Sequence, residues 1–449
     1  MFKRKITDEM LAWKQSLSFK RKGLIIQGLR QVGKTTTVKD FAAKEYGNVV
    51  YINFKTNRSI RSVFDGDLDV DRLLIGLSAA LPKDRFIPGK TVLIFDEIQE
   101  CGNARSSIKS FMEDPQKRFD IIATGSLLGL RGYNRKPSGG PATGFETFLE
   151  MKPMDFEEFL WAIGLDPKPI DYVKEAFKNH QKVEPAVNER FHRYFLDYLC
   201  VGGMPEVVAA FVQSKDMNLV GQIQRDILKS YQDDFGKHLD EKENEIIDRE
   251  ELGRIEAVYD SIPSQLGKEN KKFQYAEIGK HARARNYRSA IQWLVDFGLI
   301  SLCHNLSALE LPLKGNAVDD CFKIYVNDTG LFVAMLEQGS VFSILQGDLG
   351  IYKGAIYENL VADAFTKNSL PLFYYAKNSG LEIDFVTRHQ NVLTLVEVKA
   401  RSGKSKSLKT VLNDTSSYHV KANYKLTDGN LGSDGLINTV PQYMAFLID

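Results

Sequence analysis

The stretch Gly28-Leu29-Arg30-Gln31-Val32-Gly33-Lys34-Thr35 matches the pattern G-x-x-x-x-G-K-[ST] of a phosphate-binding loop, the Walker A motif. The apolar run Leu24-Ile25-Ile26 precedes it, and Val38, Phe41 and Ala42 follow it at helical spacing. Such a loop requires this order of strand, glycine loop and helix, because backbone N–H groups at the helix N-terminus then face the phosphates. The sequence therefore predicts a nucleoside triphosphate site in a parallel-sheet α/β domain.

Different loop residues are expected to bind the phosphates and the Mg²⁺ of Mg·ATP. We expect Lys34 to neutralise the β- and γ-phosphates and the Thr35 hydroxyl to bind Mg²⁺. An ordinary glycine turn before a helix is the alternative interpretation. The residues that we assign to ATP binding are Gly28, Arg30, Gln31, Val32, Gly33, Lys34, Thr35, Thr36 and Asp96.

Two further apolar strands end in polar residues that suit the same site. Residues 91–95 lead to Asp96 and Glu97, as a Walker B strand does. We expect Asp96 to hold Mg²⁺ and Glu97 to activate the attacking water. Residues 119–123 lead to Thr124, for which we predict a catalytic role as a sensor of the γ-phosphate, with a simple β-turn as the alternative.

Composition limits the remaining function classes. Among 449 residues, Lys and Arg number 59 and Asp and Glu number 58, so the net charge is +1 and any contact with nucleic acid must come from a local patch. The four cysteines are scattered without C-x-x-C spacing, as expected for reduced thiols in a cytoplasmic protein. Neither a secretory leader nor an apolar stretch of about 18 residues is present, so we expect no membrane partner.

The distribution of apolar, aromatic and charged residues along the chain predicts four segments. Residues 1–150 alternate strands and helices and form the P-loop domain. Aromatic and leucine residues at helical spacing predict a helical subdomain over residues 151–235. A charged stretch then leads to a winged-helix-like domain over residues 236–345, and residues 346–449 form a C-terminal α/β domain.

A basic turn in the third segment favours contact with DNA. Residues 273–300 predict a short helix, a turn, an amphipathic helix and a strand, which is the order of a winged helix-turn-helix. His281, Arg283, Arg285 and Arg288 then meet phosphates. The alternative is a winged helix that packs only on protein.

The last hundred residues carry a second group of charged side chains. Period-two alternation puts Glu382 and Asp384 on one face of a strand, and Glu397 and Lys399 on one face of the next. Two carboxylates beside a lysine have the composition of a metal-dependent phosphodiesterase that uses Mg²⁺ or Mn²⁺. Glu358, on a predicted helix, adds a further ligand. A β-hairpin with a solvated polar face is the alternative.

These motifs together resemble the prokaryotic AAA-type P-loop ATPases that are joined to a C-terminal domain of unknown function in the restriction-endonuclease-like, PD-(D/E)xK superfamily. The resemblance rests on residues 28–36, 95–100, 123–126, 151–160, 201–206, 357–361, 382–385 and 397–399. It implies a RecA-like or AAA-like ATPase core, a winged-helix middle and a nuclease-like fold.

The resemblance also implies roles for single residues. It places Asp384, Glu397 and Lys399 on the catalytic motif of the superfamily and Glu358 on its helical acidic position, with Asp384, Glu397 and Glu358 as metal ligands. Arg131 or Arg135, in the Gly/Pro-rich stretch before residue 145, is the candidate for a charge-stabilising finger.

Three functions are compatible with this sequence. The first is an ATPase whose nucleotide state controls a nuclease acting on DNA. The second is an ATP-driven switch whose nuclease-like domain only binds nucleic acid or protein. The third is an NTPase scaffold without a nucleic-acid partner. The expected partners are ATP, DNA through the winged helix and the C-terminal domain, and a second copy of the chain in a homo-oligomer.

Overall fold

The computed structural model of the protein describes residues 1–17, 21–126, 141–235, 249–268, 271–337, 339–346, 352–400 and 403–449. Contacts divide the chain into two compact units, Lys3–Lys152 and Pro153–Asp449. Residues 153–449, which include nearly all of the three later predicted segments, thus belong to one compact unit, and the boundaries inside it stay predictions. Among the described helices, none has the length and apolar character needed to cross a membrane.

The first unit is a parallel sheet with its helices. Its elements are α1 (Ile6–Gln15), β1 (Gly23–Gln27), α2 (Lys34–Glu45), β2 (Asn48–Asn53), α3 (Val70–Ala80), β3 (Thr91–Asp96), α4 (Gly102–Glu113), β4 (Asp120–Gly125) and β5 (Glu146–Glu150). The five strands have the order β2-β3-β4-β1-β5, and every pairing is parallel. The predicted order of strand, phosphate loop and helix is confirmed by β1 and α2.

Strand β3 lies entirely within this unit's core. All six of its residues are buried, which explains why it lacks the alternation of a half-exposed strand. Phe95 makes edge-to-face contacts with Phe54 and Phe64 at centroid distances of 5.6 and 5.7 Å. This packing fixes the carboxyl end of β3, where Asp96 lies.

Strand β4 separates the loop-bearing strand from the Asp96 strand. Thr124 of β4 is in register with Ile26 of β1, and Ala123 is in register with Phe95 of β3. Because the strands are parallel, their carboxyl ends meet at one edge of the sheet. The phosphate loop, Thr124 and Asp96 are therefore neighbours at that edge.

The second unit begins with helices and continues into a mixed sheet. The helices are α5 (Phe156–Ala162), α6 (Pro167–Lys178), α7 (Pro185–Val201), α8 (Pro205–Ser214), α9 (Met217–Phe235), α10 (Arg249–Leu266) and α11 (Ala284–Phe297). The elements that follow are β6 (Ile300–Leu306), β7 (Ala317–Val326), α12 (Thr329–Ala334), α13 (Ser340–Leu345), α14 (Lys353–Lys367), β8 (Phe373–Ala376), β9 (Glu382–His389), β10 (Val392–Val398), α15 (Lys406–Asn413), β11 (Ala422–Thr427), β12 (Gly432–Ser433) and β13 (Asn438–Pro441).

One sheet joins the predicted third and fourth segments. Its eight strands have the order β12-β13-β11-β10-β9-β8-β6-β7. Strands β6 and β7 form the antiparallel hairpin that follows α11, and β6 also pairs with β8 in parallel. The hairpin is therefore continuous with the C-terminal strands, and its assignment as the wing of a winged helix stays a prediction.

A close backbone approach ties the helices to this sheet. Gly203 accepts a 2.7 Å hydrogen bond from Met154 N, and its own N–H donates to the buried Asp328 carboxylate at 2.6 Å. A Cβ on Gly203 would lie 2.0 Å from Met154 O. Asp328 also caps α12 by accepting from Leu331 N at 3.0 Å. Only glycine fits at position 203, because a side chain would meet backbone atoms.

Candidate functional site

The phosphate loop has a backbone that glycine makes possible. Gly28 has φ 154°, and a Cβ there would lie 2.1 Å from Met151 O. Gly33 is left-handed, with φ 92°, immediately before α2 begins at Lys34. A 2.7 Å hydrogen bond from Met151 N to Gln27 O holds the neighbouring strand against the loop. The loop therefore leads directly into a helix N-terminus, which is a ready site for anionic phosphates.

Lys34 lies inside this loop. Its Nζ donates to the carbonyl oxygens of Gly28 and Leu29, both at 2.9 Å. Burial lowers the pKa of the Lys34 ammonium to about 8, and the attraction of Glu97 and Asp96 partly opposes that effect. A triphosphate in the loop would restore the charged form, so Lys34 suits the phosphate-binding role predicted for it.

Four donors converge on the carboxylate of Asp96. Oδ1 accepts from Thr35 Oγ1 at 3.0 Å and from Thr124 Oγ1. Oδ2 accepts from Tyr51 OH at 2.6 Å and from Asn53 Nδ2 at 2.9 Å. Only 2% of Asp96 is exposed. The carboxylate is thus buried but fully hydrogen-bonded, with one fixed orientation.

The structure brings together the two residues predicted to bind Mg²⁺ at the phosphate loop. The Thr35 hydroxyl and the Asp96 carboxylate are in direct contact, and both supply the oxygen ligands that Mg²⁺ prefers. Thr124, predicted to be a sensor, is 1% exposed and donates to Asp96. Its contact in this structure is with the carboxylate, so its immediate effect is to position Asp96.

Sequence reasoning missed Tyr51 and Asn53. Both lie near the carboxyl end of β2, and Asn53 is in register with Asp96. Burial, followed by the hydrogen bond to Asp96, raises the pKa of Tyr51 to about 12, so its hydroxyl remains a donor. A polar residue at the end of an apolar strand could have indicated a site residue. The sequence did not show that β2 pairs with β3, the strand that ends at Asp96.

Glu97 differs from Asp96 in its surroundings. It is a non-glycine residue in the left-handed region, with φ 53°, and its side chain accepts from Gln99 Nε2. Backbone strain of this kind costs about 1–3 kcal/mol and concentrates at functional sites. Glu97 also contributes to the electrostatic environment of Lys34. Its place directly after β3 is compatible with activating a water near the phosphates.

The second predicted site lies on α14, β9 and β10. Asp384 Oδ2 accepts from Val398 N at 2.8 Å, and Lys399 Nζ lies 2.7 Å from Glu397 Oε1. Glu358, on α14, is 5% exposed. The predicted convergence of the two strand ends is therefore present. We call Glu358, Glu382, Asp384 and Glu397 the acidic cluster.

Residues that the sequence analysis missed compensate this cluster. Lys323 of β7 is 1% exposed, and its Nζ lies 2.6 Å from Glu382 Oε1 and 3.7 Å from Glu358 Oε2. Lys271 forms an ion pair with Glu358 Oε1, and Tyr325 OH donates to Glu358 Oε2 at 3.1 Å. The feature of the sequence that could have indicated Lys323 is its position in the apolar stretch of β7.

The predicted metal set, Glu358, Asp384 and Glu397, does not form in this structure. Within the described ranges, no group of three or more His, Cys, Asp or Glu residues is placed to hold a metal. Both oxygens of Glu358 have other partners. Burial and repulsion from Glu358 raise the pKa of Asp384 to about 7.

The basic turn is on the surface. Arg283, Arg285 and Arg288 are exposed at the start of α11, and Arg288 pairs with the exposed Asp320 at 2.5 Å. This placement agrees with a role in binding phosphates but equally with a solvated surface. The candidate finger residues, Arg131 and Arg135, lie outside the described residues.

Comparison with protein families gives three successive matches. Residues 20–160 match the AAA domain. Residues 192–341 match a domain of unknown function, DUF8612, and residues 353–440 match another, DUF4143. The AAA match spans the phosphate loop and Asp96, so it supports the predicted likeness to AAA-type ATPases. A comparison with curated proteins finds no match.

Several solved structures resemble the chain distantly. The Walker-type ATPase paby2304 of Pyrococcus abyssi is 12% identical with a TM-score of 0.41, and the match covers 75% of this chain and 96% of that one. The Aeropyrum pernix ORC2 protein is 13% identical with a TM-score of 0.36, and the match covers 77% and 93%. At these low values, neither likeness extends a ligand or an activity to this chain.

Proposed function

We propose that the first unit binds Mg·ATP and hydrolyses it. The observation that carries this proposal is the contact of Thr35 with Asp96 beside a glycine loop that contains Lys34. Metal ligand, phosphate-neutralising lysine and helix N-terminus lie at one sheet edge, which is the arrangement that phosphoryl transfer requires. The AAA domain match over residues 20–160 supports the same activity.

Glu97 and Thr124 complete the proposed chemistry. Glu97 would accept a proton from the attacking water or orient it, since its carboxylate follows the Asp96 strand. Thr124 would keep Asp96 oriented through its hydrogen bond. Mg²⁺, when bound, neutralises charge that develops on the phosphate oxygens.

Replacing Lys34 tests the nucleotide site. Lys34→Ala should abolish tight ATP binding in calorimetry, because the phosphate charge would lose its compensating cation. Lys44→Ala is the matched control, since Lys44 is exposed on the same helix and pairs with Asp40 in an i,i+4 contact. Wild-type affinity in Lys34→Ala would contradict the proposed site.

For the second unit, the contacts favour a binding module over a metal-dependent nuclease. Lys271 and Lys323 compensate Glu358, so the helical carboxylate of the set proposed for a nuclease is already paired. If the second unit is a nuclease, the protein should cleave DNA or RNA in the presence of Mn²⁺. Cleavage by wild type that disappears in Asp384→Ala would restore it.

DNA is the proposed partner of the basic turn. If Arg283, Arg285 and Arg288 contact phosphates, their joint replacement by alanine should weaken DNA binding. It should also reduce the slope of log affinity against log salt by about 0.9 for each lost contact. Arg193→Ala, at an exposed arginine of α7, is the control. Equal slopes in the two variants would assign the turn to protein packing.

A further inference from the structure

Lys323 is the most deeply buried cation of the acidic cluster. Its side chain is 1% exposed and is held by Glu382 at 2.6 Å and Glu358 at 3.7 Å. The ammonium also lies 4.8 Å from the centre of the Tyr374 ring. A buried ammonium is costly unless it is paired, so these contacts determine where Nζ sits.

The acidic cluster approaches charge balance without a metal. Lys271 pairs with Glu358, Lys323 with both Glu382 and Glu358, and Lys399 with Glu397. The remaining group, Asp384, accepts a hydrogen bond from Val398 N.

A divalent cation would compete directly with Lys323. Mg²⁺ requires oxygen ligands at about 2.0–2.1 Å in near-octahedral geometry. Any ion that used Glu358 Oε2 would lie within a few ångströms of the buried Lys323 ammonium. The electrostatic repulsion and the loss of the Lys323 ion pairs both oppose binding.

We propose that the Lys323 ammonium takes the place of a divalent cation in the acidic cluster. It joins Glu358 of α14 to Glu382 of β9, as a bridging metal would, and it keeps the second unit free of metal at this position. Removing its charge should therefore convert the cluster into a divalent cation site. The inference does not depend on ATP hydrolysis.

The test is a Mn²⁺ titration of the full chain followed by electron paramagnetic resonance and by thermal unfolding. Asp96→Asn is introduced into every protein, so that the first unit contributes no Mn²⁺ signal. Lys323→Met keeps the length and apolar stem of the side chain but removes its charge. We expect Lys323→Met to bind Mn²⁺ at least about tenfold more tightly than the parent and to unfold at a higher temperature when Mn²⁺ is added.

Lys323→Arg is the matched control. It keeps a buried cation, so it should bind no more Mn²⁺ than the parent. Adding Glu358→Gln to Lys323→Met should abolish the gained binding, because one proposed ligand is lost. A folded Lys323→Met protein that gains no Mn²⁺ affinity would overturn the proposal.

The parent protein gives a second test that does not require any Lys323 variant to fold. Mn²⁺ binding by the parent that is lost in Glu358→Gln would show that a metal already shares the cluster with Lys323, and the proposal would fail. ATP binding, measured with Asp96 intact, would be unaffected by that outcome. The two proposals can therefore fail separately.

Discussion

Raising the pH should weaken ATP binding through Lys34. The pKa of this ammonium is about 8 in the structure, because burial outweighs the attraction of Glu97. Bound triphosphate should keep Lys34 charged, so the neutral form must take up a proton before or during binding. Between about pH 7 and about pH 9 the charged fraction falls about tenfold, which corresponds to about 1.4 kcal/mol of binding free energy.

Calorimetry at saturating Mg²⁺ measures this effect in two ways. The affinity should stay nearly constant below about pH 7 and fall about tenfold per pH unit above about pH 9. Near pH 8, titrations in buffers with different ionisation enthalpies should show uptake of about half a proton per ATP bound.

Substitutions separate Lys34 from other titrating groups. Lys34→Arg keeps a charged group over this whole range, so its affinity should show no such decline and its proton uptake should vanish. Glu97→Gln removes an attraction that supports the ammonium, so the decline should begin at a lower pH. A flat wild-type profile, with no proton uptake near pH 8, would refute the reasoning.

Three further outcomes follow from single contacts. Glu97→Gln should retain ATP and lower kcat roughly a hundredfold; unchanged turnover would move the catalytic base elsewhere. Tyr51→Phe removes one donor to Asp96, so kcat should fall roughly tenfold and the Mg²⁺ requirement should rise, while unchanged kinetics would make that donor dispensable. Gly203→Ala should lower the free energy of unfolding by about 3 kcal/mol. Gly253→Ala is the control: a Cβ there meets no neighbouring atom, so it should raise the free energy of unfolding by up to about 1 kcal/mol. Equal denaturation midpoints for the two variants would contradict this.

Local sequence pattern predicted the loop, helix and strand that carry the proposed nucleotide site. The glycine loop, the helix that starts at Lys34 and the strand that ends at Asp96 all depend on residues close together in sequence. Periodicity and a loop that needs left-handed backbone leave few alternative conformations. The same pattern does not reveal which strands are neighbours, so Tyr51 and Asn53 escaped prediction.

In the second unit, contacts between residues distant in sequence determine most of the charged site. Alternation in β9 and β10 predicted that Asp384 and Glu397 would approach each other, and their strands do pair. Lys323, by contrast, reaches Glu382 across 59 positions of sequence, and Lys271 reaches Glu358 across 87. Whether carboxylates face a metal or a lysine depends on which distant strand packs beside them.

The sequence by itself determined the phosphate loop, the acidic ends of the strands and most local elements, because each follows from short-range sterics and hydrophobic periodicity. Tertiary structure alone decided that the β6–β7 hairpin joins the C-terminal sheet and that a buried ammonium fills the acidic cluster. The physical reason is the range of the interactions. Strand pairing and charge compensation act between residues that only the folded chain brings within a few ångströms.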